Sequence, residues 1–290
     1  MTHFSFPRSA ALKQAIALAA CAACLGSCAS QEKKAQDPQS ENPRIVSLNP
    51  CVDAILVEVA PADQILALSH YSRDPSATTI GTARASAFGV TGGTVEEVAA
   101  LSPDLVIGGS FVAPATRNAL NDMGFALETV GIASSVEESI AQVTLLAATV
   151  DNPAAGEKLN ARIIAAIENH SVDTSQTPIS TVLWQPGQIV PGDATLVAEL
   201  MQSAGFASHN SALGLSQADY LPLEMLVANP PDLILIAGDS KGQRHTLLER
   251  LPETKIASFD PKLFYCGGPS IITAIERLAD IRAEIKGTGA

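Results

Sequence analysis

Aromatic residues are scarce, making up 4% of the 290 residues, with one Trp, three Tyr and eight Phe. A core can be built without them, so each aromatic placed on a loop is informative. Cysteine numbers five, and Cys21, Cys24 and Cys28 crowd the amino terminus. The two left, Cys51 and Cys266, are too few to hold an iron–sulfur cluster. Basic residues number 18 against 30 acidic ones, for a net charge of −12, which argues against nucleic acid or an anionic membrane surface as a partner. Catalytic signatures are missing too. There is no Walker A loop and no Gly-x-Ser-x-Gly elbow, and Gly89-Val90-Thr91-Gly92-Gly93 does not reproduce a dinucleotide fingerprint. His3, His70, His170, His209 and His245 are scattered without ligand spacing, so no protein-held zinc or manganese is expected.

The amino terminus carries an address. Arg8 and Lys13 precede an apolar stretch from Ala15 to Leu25, too short for a permanent membrane helix and suited to a secretory signal over residues 1–27. Leu25-Gly26-Ser27-Cys28 resembles the lipobox of bacterial lipoproteins, which would make Cys28 the lipidated first residue; ordinary cleavage near Ala29 is the alternative. With Arg8 and Lys13 removed, the charge moves from −12 to −14. Residues 28–42 are rich in Gln, Lys, Glu, Asp and Ser, a composition that cannot bury enough surface to order itself and reads as a flexible tether. No second apolar span of about 18 residues follows.

One pattern occurs twice. Val95-Glu96-Glu97 to Pro103-Asp104-Leu105-Val106-Ile107 is echoed 128 residues later by Leu223-Glu224-Met225 to Pro231-Asp232-Leu233-Ile234-Leu235, each copy placing a Glu seven residues before Pro-Asp. A short helix carries the Glu, Pro-Asp ends it, and an apolar β-branched run supplies a buried parallel strand. Around the first copy the periodicity predicts strands at 44–47, 65–69, 104–108 and 126–130 and helices at 51–59, 95–101 and 113–123. Helical spacing over 135–149 and 153–170 predicts a long connection. A second lobe restarts at Ile179, with a strand at 181–185, a helix at 196–204, the second copy, a helix at 245–251 and a last helix at 271–286. The fold class is α/β: two doubly wound lobes with a ligand cleft between them, joined by a long inter-lobe helix. The boundaries are 43–150 for the first lobe, 151–178 for the connection and 179–290 for the second lobe.

Taken in order over the whole mature length, these features resemble the periplasmic substrate-binding proteins of ABC importers for iron-siderophore complexes and vitamin B12. Arg44-Ile45-Val46-Ser47-Leu48-Asn49-Pro50 is similar to the family's opening strand. The resemblance implies a periplasmic, lipid-anchored, non-enzymatic protein whose partners are an ABC permease and its ATPase. It implies no resident cofactor and a cargo of chelated iron or cobalt. It also implies that Glu96 and Glu224 dock onto permease arginines, one per lobe. Ordinary first-turn acids favoured by the helix dipole are the plainer account of both, with Glu97 a solvated neighbour.

A wide, flat chelate needs apolar walls with a few polar groups. The candidate wall residues are Tyr71, in a segment similar to the B12-binding branch, with Phe88, Phe111, Trp184, Phe264 and Tyr265. Arg73, with Arg84 and Arg117 near it in the lobe, is the candidate for pairing with cargo oxygens or amides. Cys51 and Cys266 form an even pair in an oxidising compartment, either bridged or left as two free thiols. The rivals are the nitrogenase-type oxidoreductases, which share doubly wound lobes but fail on cysteine count, and a ligand sensor or scavenger working without a permease. The cysteine, motif and histidine counts leave binding, with haem, corrinoid or siderophore undecided.

Overall fold

The computed structural model describes residues 42–287 except Thr174, 239–242 and 244–245. The expected signal segment, Cys28 and the tether up to residue 41 lie outside the described residues, as does part of the helix expected at 245–251. The first lobe runs β1 (Ile45–Ser47), α1 (Pro50–Val59), β2 (Ile65–Ser69), α2 (Thr82–Ala85), β3 (Gly89–Thr91), α3 (Val95–Leu101), β4 (Leu105–Gly109), α4 (Pro114–Asp122) and β5 (Ala126–Val130). Its five strands form one parallel sheet in the order β3-β2-β1-β4-β5. Two helices follow, α5 (Val136–Thr149) and α6 (Pro153–His170).

The second lobe contains β6 (Ile179–Trp184), β7 (Ile189–Val190), α7 (Leu196–Ser203), β8 (Phe206–Ser208), α8 (His209–Ala212), β9 (Asp219–Tyr220), α9 (Leu223–Ala228), β10 (Leu233–Ile236), β11 (Lys255–Ser258), α10 (Lys262–Tyr265) and α11 (Ser270–Gly287). Its parallel sheet has the order β11-β10-β6-β8, and β7 pairs with β9 in a separate antiparallel ribbon. Between β10 and β11 the described residues hold only a short 3₁₀ turn at Leu248–Arg250. The helix expected at 245–251 is thus reduced to that turn within the residues described.

Strand alternation explains the layering. Ile45, Leu105 and Ile107 face one side of the first sheet, and Val46 and Val106 face the other with Val98 of α3 and Leu120 of α4. In the second sheet Leu183, Leu233 and Leu235 face α7 and α11, while Val182, Trp184 and Ile234 meet Leu226 of α9. The largest core cluster takes in one face of both sheets together with α1, α5, α6, α7 and α11. The lobes therefore share a spine of helices instead of each closing on its own core.

The Pro-Asp pairs have a second role beyond ending a helix. Asp104 Oδ2 accepts from the Arg44 backbone N–H at 2.9 Å, and Asp232 Oδ2 accepts from Ser180 N–H at 2.9 Å. Each aspartate thus clamps the amino end of the neighbouring strand, β1 or β6, and sets its register against β4 or β10. Ser102, just before the first pair, takes a left-handed conformation with φ 48° to end α3. Two further ties join distant segments: the Cys51–Cys266 disulfide, with Cα atoms 5.1 Å apart, and the Gly268 amide donating to Ser139 Oγ at 2.6 Å. Of the two arrangements open to the cysteines, the bridge is present. It links the carboxyl edge of the first sheet to the segment following β11.

Candidate functional site

In open α/β sheets, ligands settle outside the carboxyl ends of the strands where the order reverses. Here that point lies between β1 and β4. A hollow of about 380 Å³ opens there, lined by Leu48–Pro50 after β1, Ser69–Tyr71 after β2, Thr91–Gly93 at the end of β3, and Gly109 with Phe111–Ala113 after β4. A hollow of about 610 Å³ lies beside β8 and α7. It is larger but has neither exposed aromatics nor a topological switch point, so the smaller one is the better candidate.

The loops around the hollow are held from behind. Asn49 caps α1, its Oδ1 accepting from the Cys51 and Val52 amides at 2.8 and 3.1 Å, an arrangement worth about 1 kcal/mol. A Cβ at Gly109 would sit 2.2 Å from Asn49 Nδ2, so only glycine lets β4 pass this cap. Asp53, in the first turn of α1, is fully buried. Its Oδ2 accepts from the Ser69 amide at 3.0 Å, the Ser69 hydroxyl at 2.5 Å and the Ser72 hydroxyl at 2.6 Å. Burial outweighs these donors and pushes its carboxyl up to about 6.

Glu97 works in a similar way on the opposite wall. Its Oε2 accepts from Thr91 Oγ1 at 3.0 Å and from the Gly92 amide at 2.7 Å, and the Thr91 hydroxyl followed by that amide holds its carboxyl below the ordinary range. Glu97 is exposed, as expected of a solvated neighbour, and it also braces the Thr91–Gly93 segment that lines the hollow. A Thr-x-x-Glu spacing at Thr94–Glu97 was the available signal, since such a Glu turns back toward its helix start.

The aromatic candidates separate. Tyr71 and Phe111 line the hollow with exposures of 47% and 83%, and His70 stacks on Tyr71 with ring centroids 4.0 Å apart. Tyr265 is exposed beside Cys266, its ring 4.3 Å from that of Phe264. Phe88 and Phe264 are half-buried against the main core and do not line the hollow. Trp184 is corrected outright. It has no exposed surface, packs with Leu221 and Leu226, and donates its Nε1–H to the Leu221 carbonyl at 3.2 Å. Sequence reasoning passed over Tyr220, 55% exposed and paired across the ribbon with exposed Ile189, which follows the carboxyl end of β6.

The arginines are mostly engaged. Arg73 donates to the Phe88 carbonyl at 2.7 Å and ties the His70–Arg73 turn to the start of β3. Arg84 pairs with Glu58 and donates to the Val57 carbonyl at 2.9 Å, so it braces α2 on α1 and does not face the hollow. Glu96 and Glu224 are both exposed in the first turns of α3 and α9, the helices that lead into β4 and β10. No helix among the described residues is long and apolar enough to cross a membrane.

Two parallel-sheet lobes on a shared helical spine, with a pocket at the carboxyl edge, define a bilobal binding protein. The profile of the periplasmic binding protein family matches residues 45–258, and the chain belongs to that family: it is a substrate-binding transport protein, not an enzyme. No curated protein matches it by sequence. Among solved structures it is similar to the periplasmic heme-binding protein RhuT from Roseiflexus sp. RS-1 in its apo form, at 21% identity and a TM-score of 0.67, over 84% of this chain and 99% of that one. It is also similar to the periplasmic heme-binding protein HutB of Vibrio cholerae, at 15% identity and a TM-score of 0.70, with the same coverage. The vitamin B12-binding protein BtuF of Vibrio cholerae matches at 16% identity and a TM-score of 0.64, over 84% of this chain and 98% of that one.

Proposed function

We propose that this protein captures a metal-organic chelate, a haem or corrinoid macrocycle, in the hollow at the carboxyl edge of the first sheet and delivers it to an ABC permease. The observation that carries the reading is the convergence of Tyr71, His70 and Phe111 on one hollow in a chain so poor in aromatics. Exposed rings that serve no core packing suit a flat ligand, and the Tyr71 hydroxyl offers a hydrogen bond to a peripheral carboxylate or amide. Tyr265 and Tyr220 are the second-lobe aromatics available to close over it. The heme- and B12-binding proteins of the same fold support both macrocycles alike. Ferric siderophores remain a further arm of the test.

Glu96 and Glu224 are the permease-docking knobs in this reading, exposed acids in matching first turns that offer charge-assisted bonds to arginine. Cys28 is the lipid attachment that keeps the protein near the permease at a membrane surface. Absorbance titration of the purified protein with haemin, cyanocobalamin and ferric siderophores tests the cargo. Micromolar or tighter binding of a macrocycle supports the reading. Binding of none of the three classes refutes it, and binding of a siderophore alone moves the cargo to that class.

A further inference from the structure

Among the described residues Asp53 is the one fully buried acid, and it lies beneath the candidate pocket. All three of its bonds converge on Oδ2 and come from residues that flank His70 and Tyr71, namely Ser69 before them and Ser72 after Tyr71. Its other oxygen, Oδ1, is buried with no hydrogen-bond partner. A buried unpaired carboxylate oxygen is costly, so the residue is held in place by what it does for the turn rather than by a gain to the core.

The geometry points to Asp53 as the positioning residue of the ligand pocket: its carboxylate grips both ends of the turn that presents His70 and Tyr71, and taking up a proton loosens that grip and lowers ligand affinity. The inference rests on the pocket proposed above. Chemically, three donors bonded to an anionic oxygen are charge-assisted, and protonation at the free Oδ1 turns Oδ2 into a neutral carbonyl that holds them more weakly. The carboxyl of Asp53, pushed up by burial to about 6, places the change within a range an exported protein meets.

Among the described residues no other ionisable group shares this niche. The groups facing the carboxyl are the hydroxyls of Ser47 on β1, Ser69 on β2 and Ser72 on the turn, with the Ser69 amide. Tyr71, His70 and Arg73 on the turn are exposed. On α1 itself Glu58 is taken by Arg84 and Arg162, and on the helices packed around it Glu138 is taken by Ser134. Glu137, Glu157, Lys158 and Glu168 are exposed, and His170 is half-buried at the end of α6. β2 and β4 carry no ionisable side chain. His70 lines the same hollow, so it needs its own control.

The sign of the effect on stability is opposite to that on binding. A carboxyl raised above its unfolded value contributes stability at low pH that is lost as pH rises through about 6. Wild type should therefore gain melting temperature relative to Asp53→Asn as pH falls from 7.5 to 5, while its affinity advantage over that variant shrinks. A purely structural residue would move both quantities the same way.

The experiment has two arms. In the ligand-free wild-type protein, the Asp53 carboxyl carbon and the Ser69 and Ser72 amides are followed by NMR from pH 4 to 8; one shared midpoint near 6 is expected, and a midpoint below about 4.5 or unlinked amides overturns the proposal. In the second arm, haemin and cyanocobalamin are each titrated into wild type, Asp53→Asn and His70→Gln. Affinity for the macrocycle that binds should drop about tenfold in wild type between pH 7.5 and 5, stay low and flat in Asp53→Asn, and keep its slope in His70→Gln. An Asp53→Asn variant that binds like wild type, or a slope that vanishes in His70→Gln, overturns it. If neither macrocycle binds wild type, the cargo assignment fails, and the NMR arm still decides whether Asp53 governs the turn.

Discussion

Cutting the Cys51–Cys266 bridge should cost this protein a large share of its stability without altering its fold. The two residues lie 215 apart in sequence, so nearly the whole described chain is closed into a single loop. In the chain-entropy relation a loop of that length removes about 5 kcal/mol of freedom from the unfolded ensemble at 25 °C. For a domain of this size each kcal/mol moves the melting midpoint by about 2–4 °C, so the loss should appear as a drop of about 10–20 °C. The best perturbation is Cys51→Ser, because Cys51 is partly exposed while Cys266 is buried. It leaves the Cys266 sulfur in its packing and avoids a cavity. It also retains a hydroxyl near the Tyr265 carbonyl, which Cys51 Sγ approaches at 3.7 Å. Calorimetry of the ligand-free variant, beside wild type with and without reductant, gives the number directly. A drop below about 3 °C in both the variant and the reduced wild type would show that the unfolded chain is not the state the bridge constrains, and would refute this reasoning.

Tyr71→Ala should weaken macrocycle binding by about 1–3 kcal/mol while the melting midpoint changes little, since the ring is 47% exposed; a large melting drop with unchanged affinity would assign the ring to the core. Trp184→Ala should do the reverse, costing about 3–5 kcal/mol of stability while the folded fraction binds as wild type does, checked by chemical denaturation and titration on one preparation. Changing both Glu96 and Glu224 to Ala should abolish permease-dependent uptake in cells and leave macrocycle affinity within about twofold; unchanged uptake would remove both from the docking surface.

Much of the scaffold was legible from local pattern alone. Short apolar-rich runs and helical spacing placed β2, α3, β5 and α6 at their observed bounds. The duplicated Glu-to-Pro-Asp unit disclosed two related lobes, although only the structure showed why the aspartates recur, each clamping a strand that lies far away in sequence. Short elements such as β3, β8 and β11 were not legible. A strand of three or four residues is set by the neighbour that supplies its hydrogen bonds rather than by its own residues. For the same reason Trp184 was misplaced: its residue type suits a ligand wall as well as a core, and only the phase of β6 against α9 turns it inward. Asp53 lies one place on from the Val52 that packs the core, and nothing in its local sequence marks it as buried beneath Ser69 and Ser72. The sequence by itself determined the class of fold, the pair of lobes and the cysteine pair able to join them, because these rest on periodicity and composition. Which aromatics face the pocket, which acids hold its loops and whether the cysteines meet were decided by tertiary structure, because each depends on side chains brought together across tens to hundreds of residues.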